Sequence, residues 1–193
     1  GDDVLRGMAG LLAHEQLHVV QRVHPDLFAG LYTETWGFVR APRIERCAWL
    51  EEHQVVNPDA VDCGWVFPIR EGEGVRYIWP LVVLADTAWA PRMPRDFRTI
   101  AVQVERTDDG FRVRVGADGK PLFRDLWQEP DYMRAFAPST YVFHPNEAAA
   151  DLFARIVTFD ALRDGGAPPR GDLWQAQENL APLREWFREN LRK

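Results

Sequence analysis

A chain of 193 residues with 46% hydrophobic and 27% charged residues has an ordinary globular composition, and it is long enough to bury a core without disulfide staples. Its formal net charge of −6, with no basic stripe to offset it, argues against nucleic acid as a partner. No apolar run reaches the roughly 18 residues of a membrane span and the first residues lack the blocks of a signal peptide, so a cytoplasmic protein that does not contact membrane is expected.

Asp2 and Asp3 are suited to cap a helix, and Val4, Leu5, Met8, Leu11, Leu12 and Val19 recur at helical spacing, which predicts one helix from Asp3 to about Arg22. Pro25 disfavours helical geometry at His24, and Asp26 starts a short second helix through Leu27, Phe28 and Leu31 that ends near Gly37. Cys47 and Cys63 form no C-x-x-C pair and read as plain thiols. Between about Val61 and Val115 the pattern turns to strands: Trp65 to Ile69, Tyr77 to Leu84, Ile100 to Arg106 and Phe111 to Val115. Turn chemistry at Thr107-Asp108-Asp109-Gly110 and at Asp118-Gly119 makes an antiparallel meander the expected arrangement. A helix is predicted from Pro145 to about Leu162, then a break at Gly165-Gly166-Ala167-Pro168-Pro169, then a last amphipathic helix from Asp172 through Leu173, Leu180, Leu183, Trp186, Phe187 and Leu191. Helices at both ends of a strand-rich middle imply an α+β fold in a single domain over residues 1–193.

Within the first helix, His14-Glu15-Gln16-Leu17-His18 matches H-E-x-x-H. Four-residue spacing puts both imidazoles on one helix face about 6 Å apart, where they can share one tetrahedral zinc ion. Glu15 lies beside that face, placed to take a proton from a metal-bound water whose pKa the metal lowers to about 7. The helix is too apolar for one exposed to solvent, and buried ionisable groups need partners, which a metal would provide.

Three residues are candidates for the third ligand. His24 has the spacing of H-E-x-x-H-x-x-G-x-x-H, but position 21 is Gln, which resists the left-handed turn that glycine makes there. Glu34, in Tyr32-Thr33-Glu34-Thr35-Trp36, lies where a second helix would return it towards the metal. Glu147 opens the later helix, with Asp151 one turn on; these two carboxylates repel unless a metal and a histidine N–H separate their roles.

The segment Asn146-Glu147-Ala148-Ala149-Ala150-Asp151 resembles the N-E-x-x-S-D segment of thermolysin-like gluzincins. That resemblance implies Glu147 as zinc ligand and Asp151 as support for a ligand histidine. More widely, H-E-x-x-H-x-x-x-R, Pro25, Leu31-Tyr32, Gly37-Phe38, Asn57-Pro58-Asp59, Tyr141 and His144-Pro145-x-Glu147 are together similar to a group of bacterial zincin-like metallopeptidases. Two departures accompany it: a strand-rich insertion separates the ligand helices, and no strands precede the first one. An N-terminal segment is therefore expected to be missing before Gly1, or supplied by a partner chain that completes the fold, or replaced by the insertion.

Tyr141 and His144, just ahead of the second ligand helix, are the candidate donors to a developing oxyanion. Arg22 is suited either to a substrate carboxylate or to an ion pair with Asp26, and Asn57-Pro58-Asp59 reads as a turn. The expected function is a zinc-dependent hydrolase, a metallopeptidase acting on peptide or small-molecule substrates with water activated by Glu15. Two alternatives share the motif: a zincin scaffold turned to elimination or cyclisation on a small metabolite, and a non-catalytic partner-binding module.

Overall fold

The computed structural model describes residues 2–59, 64–85, 91–92, 94–136, 139–165 and 177–191. The fold is α+β, and it divides into two compact units that are each discontinuous in sequence. One comprises Gly1–Pro25, Phe136–Tyr141 and Asn146–Lys193; the other comprises Asp26–Ala135 and Val142–Pro145. Expectations for Val61, Cys63, the break over residues 166–169, and Asp172 and Leu173 lie outside the described residues, as do the side chains of Asp2, Asp3, Val4 and Leu5.

The second unit carries a curled mixed sheet. Its long strands β4 (Trp65–Glu71), β5 (Gly74–Leu84), β6 (Phe97–Thr107) and β7 (Gly110–Val113) form the expected antiparallel meander. Alternation on these strands turns Trp79, Leu81, Val83, Ile100, Val102, Val104, Phe111 and Val113 into one buried cluster. Each such aliphatic or aromatic side chain stabilises the unit by about 1.5–3 kcal/mol. Four short strands complete the sheet: β1 (Val39–Arg40) on β4, β2 (Ile44–Glu45) on β7, β3 (Gln54–Val55) on β5 and β8 (Phe123–Asp125) on β6. The β2–β7 pair is parallel, which a meander does not supply, and Gly110 makes it fit. A Cβ at Gly110 would fall 2.3 Å from the Arg43 carbonyl oxygen, which instead accepts from the Phe111 N–H at 2.9 Å.

Short helices surround these strands in sequence: α2 (Pro25–Gly30), running on into a π-helical turn at Leu31–Thr35, α3 (Ala48–His53) and α4 (Pro130–Phe136). The Tyr132 hydroxyl, on α4, donates to the Val142 carbonyl, and its ring sits edge-on to Phe38 and Phe67. Glu129 and Arg76 pair at 2.8 Å, with side chains 3% and 11% exposed. Asn57-Pro58-Asp59 is a turn, as expected: the Asn57 side chain accepts from the Asp59 N–H at 2.9 Å.

The first unit is helical: α1 (Asp2–Val23), α5 (Pro145–Asp164) and α6 (Gln177–Asn190). Its buried side chains include Ala13 and Leu17 of α1, Ala148, Ala149, Ala150, Leu152, Ile156 and Phe159 of α5, and Leu183 and Phe187 of α6. Phe153 meets Phe187 edge-on at 5.0 Å, and Arg184 reaches Asp160 at 3.3 Å.

The face that α1 buries is not the apolar one. Met8, Leu11, Leu12, Val19 and Val23 are exposed by 55–65%, whereas His18 and Gln21 are buried with Ala13 and Leu17. At 100° per residue the centres of the two sets lie on opposite sides of the helix. The inward face combines Ala13 and Leu17 with His18 and Gln21, whose polar atoms find partners within the unit. Among the described residues no helix is long and apolar enough to cross a membrane.

Candidate metal centre

H-E-x-x-H falls in the middle of α1, where the i, i+4 relation brings the two imidazoles together. Their rings meet edge-on with centroids 4.7 Å apart, and the two Nε2 atoms are 3.0 Å apart. Glu147 enters from the first turn of α5, its Oε2 3.5 Å from His14 Nε2 and its Oε1 3.5 Å from His18 Nε2. The alanines that follow it are all buried and carry no bulk to hold the helix away. Side-chain exposures of 13%, 2% and 4% for His14, His18 and Glu147 mark a nearly closed cluster. Among the described residues it is the one group of three or more His, Cys, Asp or Glu side chains whose ligand atoms converge, within 4.8 Å of one another.

The spacing of these atoms tests whether a metal fits. Zinc–nitrogen and zinc–oxygen bonds near 2.1 Å give a tetrahedron with edges of about 3.4 Å. The two Nε2 atoms at 3.0 Å, with one Glu147 oxygen 3.5 Å from each of them, are near that length, and one ligand atom from each residue lies within 4.8 Å of the other two. A buried carboxylate beside two imidazoles is a donor set of the kind that binds a divalent cation. The two nitrogens and one oxygen suit an open three-ligand site of the kind borderline divalent cations occupy.

Neither alternative third ligand joins the cluster. His24 is exposed just beyond the end of α1, because the helix runs through Gln21 without turning. Glu34 is exposed on the π-helical turn and belongs to the sheet unit. Glu15 is exposed on α1 next to His14. Tyr141 is brought beside the cluster, its ring 5.6 Å from that of His14 and 46% exposed, on a loop where the Ser139 hydroxyl accepts from the Tyr141 N–H at 3.0 Å. His144 is buried and belongs to the sheet unit, where it lines a cavity of about 20 Å3 with Gln54, Asn57 and Phe143. Arg22 is exposed on α1.

Asp151, expected behind a ligand histidine, is ion-paired along its own helix with Arg155 at 2.9 Å. The residue behind His18 is Gln21, whose Oε1 lies 2.7 Å from His18 Nδ1 and whose Nε2 donates to the Asn146 carbonyl at 2.9 Å. In the sequence Gln21 stands out only as the residue where H-E-x-x-H-x-x-G-x-x-H has glycine. Its position one helical turn after His18, on the same face, was the available signal.

Comparison with known proteins returns no match: no family model, no curated protein and no solved structure is similar to the chain.

Proposed function

We propose that the chain is a zinc-dependent hydrolase of gluzincin type, a metallopeptidase in which His14, His18 and Glu147 hold the metal. The observation that carries this reading is the convergence of one ligand atom each from His14, His18 and Glu147 within 4.8 Å of one another, in a cluster that is largely buried. Zinc bound there supplies a Lewis acid and a water whose pKa is lowered to about 7. Glu15, exposed and adjacent in sequence to His14, takes the proton of the attacking water and delivers it to the leaving amine. Tyr141, partly exposed beside His14, offers its hydroxyl to the oxygen that gains charge in the transition state.

Two measurements on untagged protein test the proposal. Metal analysis after growth with added zinc should give about one ion per chain, the count for one three-ligand site. Cleavage of a mixed peptide library, followed by mass spectrometry, should then appear in the zinc-loaded protein and vanish in Glu15→Gln. Less than a tenth of an equivalent of metal refutes the site. Metal without cleavage refutes the peptidase and leaves elimination or cyclisation on a small metabolite, for which Glu15 would serve as the base. A partner-binding module is favoured by one observation, the exposed apolar face of α1, and predicts a full metal complement with no dependence of binding on Glu15.

A further inference from the structure

We propose that Gln21 is the positioning residue of the metal centre: it sets the tautomer of His18 and ties the helix of the two histidines to the helix of Glu147. The inference rests on the metal reading above and follows from the direction of two hydrogen bonds. The Asn146 carbonyl can only accept, so the Gln21 group 2.9 Å away must be the amide NH2. The other end of the amide, Oε1, can also only accept, so His18 Nδ1 at 2.7 Å must carry the proton. The reverse orientation would bury two acceptors face to face, since Gln21 is 5% exposed and His18 is 2% exposed.

The relay therefore runs one way, from the acceptor on α5 to the lone pair of His18 Nε2. That lone pair points at the centre of the cluster, 3.0 Å from His14 Nε2 and 3.5 Å from Glu147 Oε1. A neutral imidazole with Nδ1 protonated is the form that leaves Nε2 free to bind a metal, and the bond to Oε1 holds that form. Asn146 directly precedes Glu147, so the same amide also fixes the height at which the ligand carboxylate enters.

Two variants separate the roles. Gln21→Met keeps length and loses both hydrogen bonds; Gln21→Glu keeps the acceptor for His18 and loses the donor to Asn146. Nitrogen-15 NMR of the histidine rings should show the Nδ1–H tautomer for His18 in metal-free wild type and in Gln21→Glu, and a mixture in Gln21→Met. Zinc affinity, measured by competition with a chromophoric chelator, should fall by about 10 to 100-fold in Gln21→Met. Gln21→Glu should lose less than Gln21→Met, since it keeps the acceptor for His18 while it sets a carboxylate oxygen against the Asn146 carbonyl. An Nε2–H tautomer in wild type, or unchanged affinity in Gln21→Met, overturns the proposal. So does a loss in Gln21→Glu as large as that in Gln21→Met, which would mean that packing alone matters; if Gln21→Met fails to fold, the tautomer of His18 in wild type and in Gln21→Glu decides the matter. Wild type that binds no zinc refutes the metal centre, while the tautomer in metal-free protein still decides the role of Gln21.

Discussion

Glu147 Oε1 and His18 Nε2 face each other across 3.5 Å with both side chains almost wholly buried, a distance too long for a strong hydrogen bond and suited to two ligands of one ion. A ligand that binds only the folded state stabilises it, by about 2.7 kcal/mol at a hundredfold excess over the dissociation constant. Zinc at that excess should raise the melting temperature of the 193-residue chain by roughly 5–10 °C, as followed by calorimetry. Alanine at His14, His18 or Glu147 should abolish the rise, and His24→Ala and Glu34→Ala should preserve it.

Glu15→Gln should leave the melting temperature and zinc content of the protein unchanged, because an exposed helix position away from partners shifts stability by only about 0.5 kcal/mol. Turnover should drop by at least about 100-fold, the lower end for a general acid/base. Full activity of this variant would assign the proton transfer to another group.

Tyr132 introduces an alkaline limit. Burial pushes its phenol well above the ordinary value near 10, while its hydroxyl donates to the Val142 carbonyl. Below pH 10 the phenol is neutral in both states and stability does not depend on its titration. Above it the unfolded chain releases a proton that the folded chain keeps, so stability falls as pH rises. Urea midpoints measured from pH 9 to 11 should decline in wild type and flatten in Tyr132→Phe. At neutral pH the same variant should cost about 1–3 kcal/mol for the carbonyl it leaves unpaired.

The Arg76–Glu129 pair should show the asymmetry of buried ions. Burial opposes the charge on Arg76, but its bonds to Glu129 and Glu71 more than offset this and raise the guanidinium pKa. Arg76→Met alone strands Glu129, 3% exposed, and should cost about 3–5 kcal/mol in urea unfolding. Adding Glu129→Met should recover most of that loss. The contribution of Glu71 should be small, since its side chain is half exposed.

The meander and the H-E-x-x-H helix were legible because each rests on local signals: alternation along β5 and β6, turn chemistry at Asp108-Asp109-Gly110, and i, i+4 spacing on α1. The choice of Glu147 rested instead on the resemblance of Asn146–Asp151 to the gluzincin segment, with the Glu147–Asp151 spacing beside it. The parallel β2 strand was not, since two residues carry no period and its partner β7 lies far along the chain. The orientation of α1 was misjudged for a related reason. Apolar side chains outnumber polar ones on the helix, yet burial follows from which face finds partners, and those partners arrive with Asn146 and Glu147. Gln21 was legible only as an absence of glycine, because its role depends on a carbonyl that belongs to another helix.

The placement of the strands between the two ligand helices has a consequence for how the protein is made. At about 5–20 residues per second, a ribosome that has just added His18 needs roughly 6–26 s to reach Glu147. During that interval the nascent chain offers His14 and His18 without Glu147, and Gln21 has no Asn146 carbonyl to hold. The triad is thus completed only as α5 emerges, after the whole of the sheet has been synthesised, so a metal held by all three residues would be taken up by the nearly finished chain.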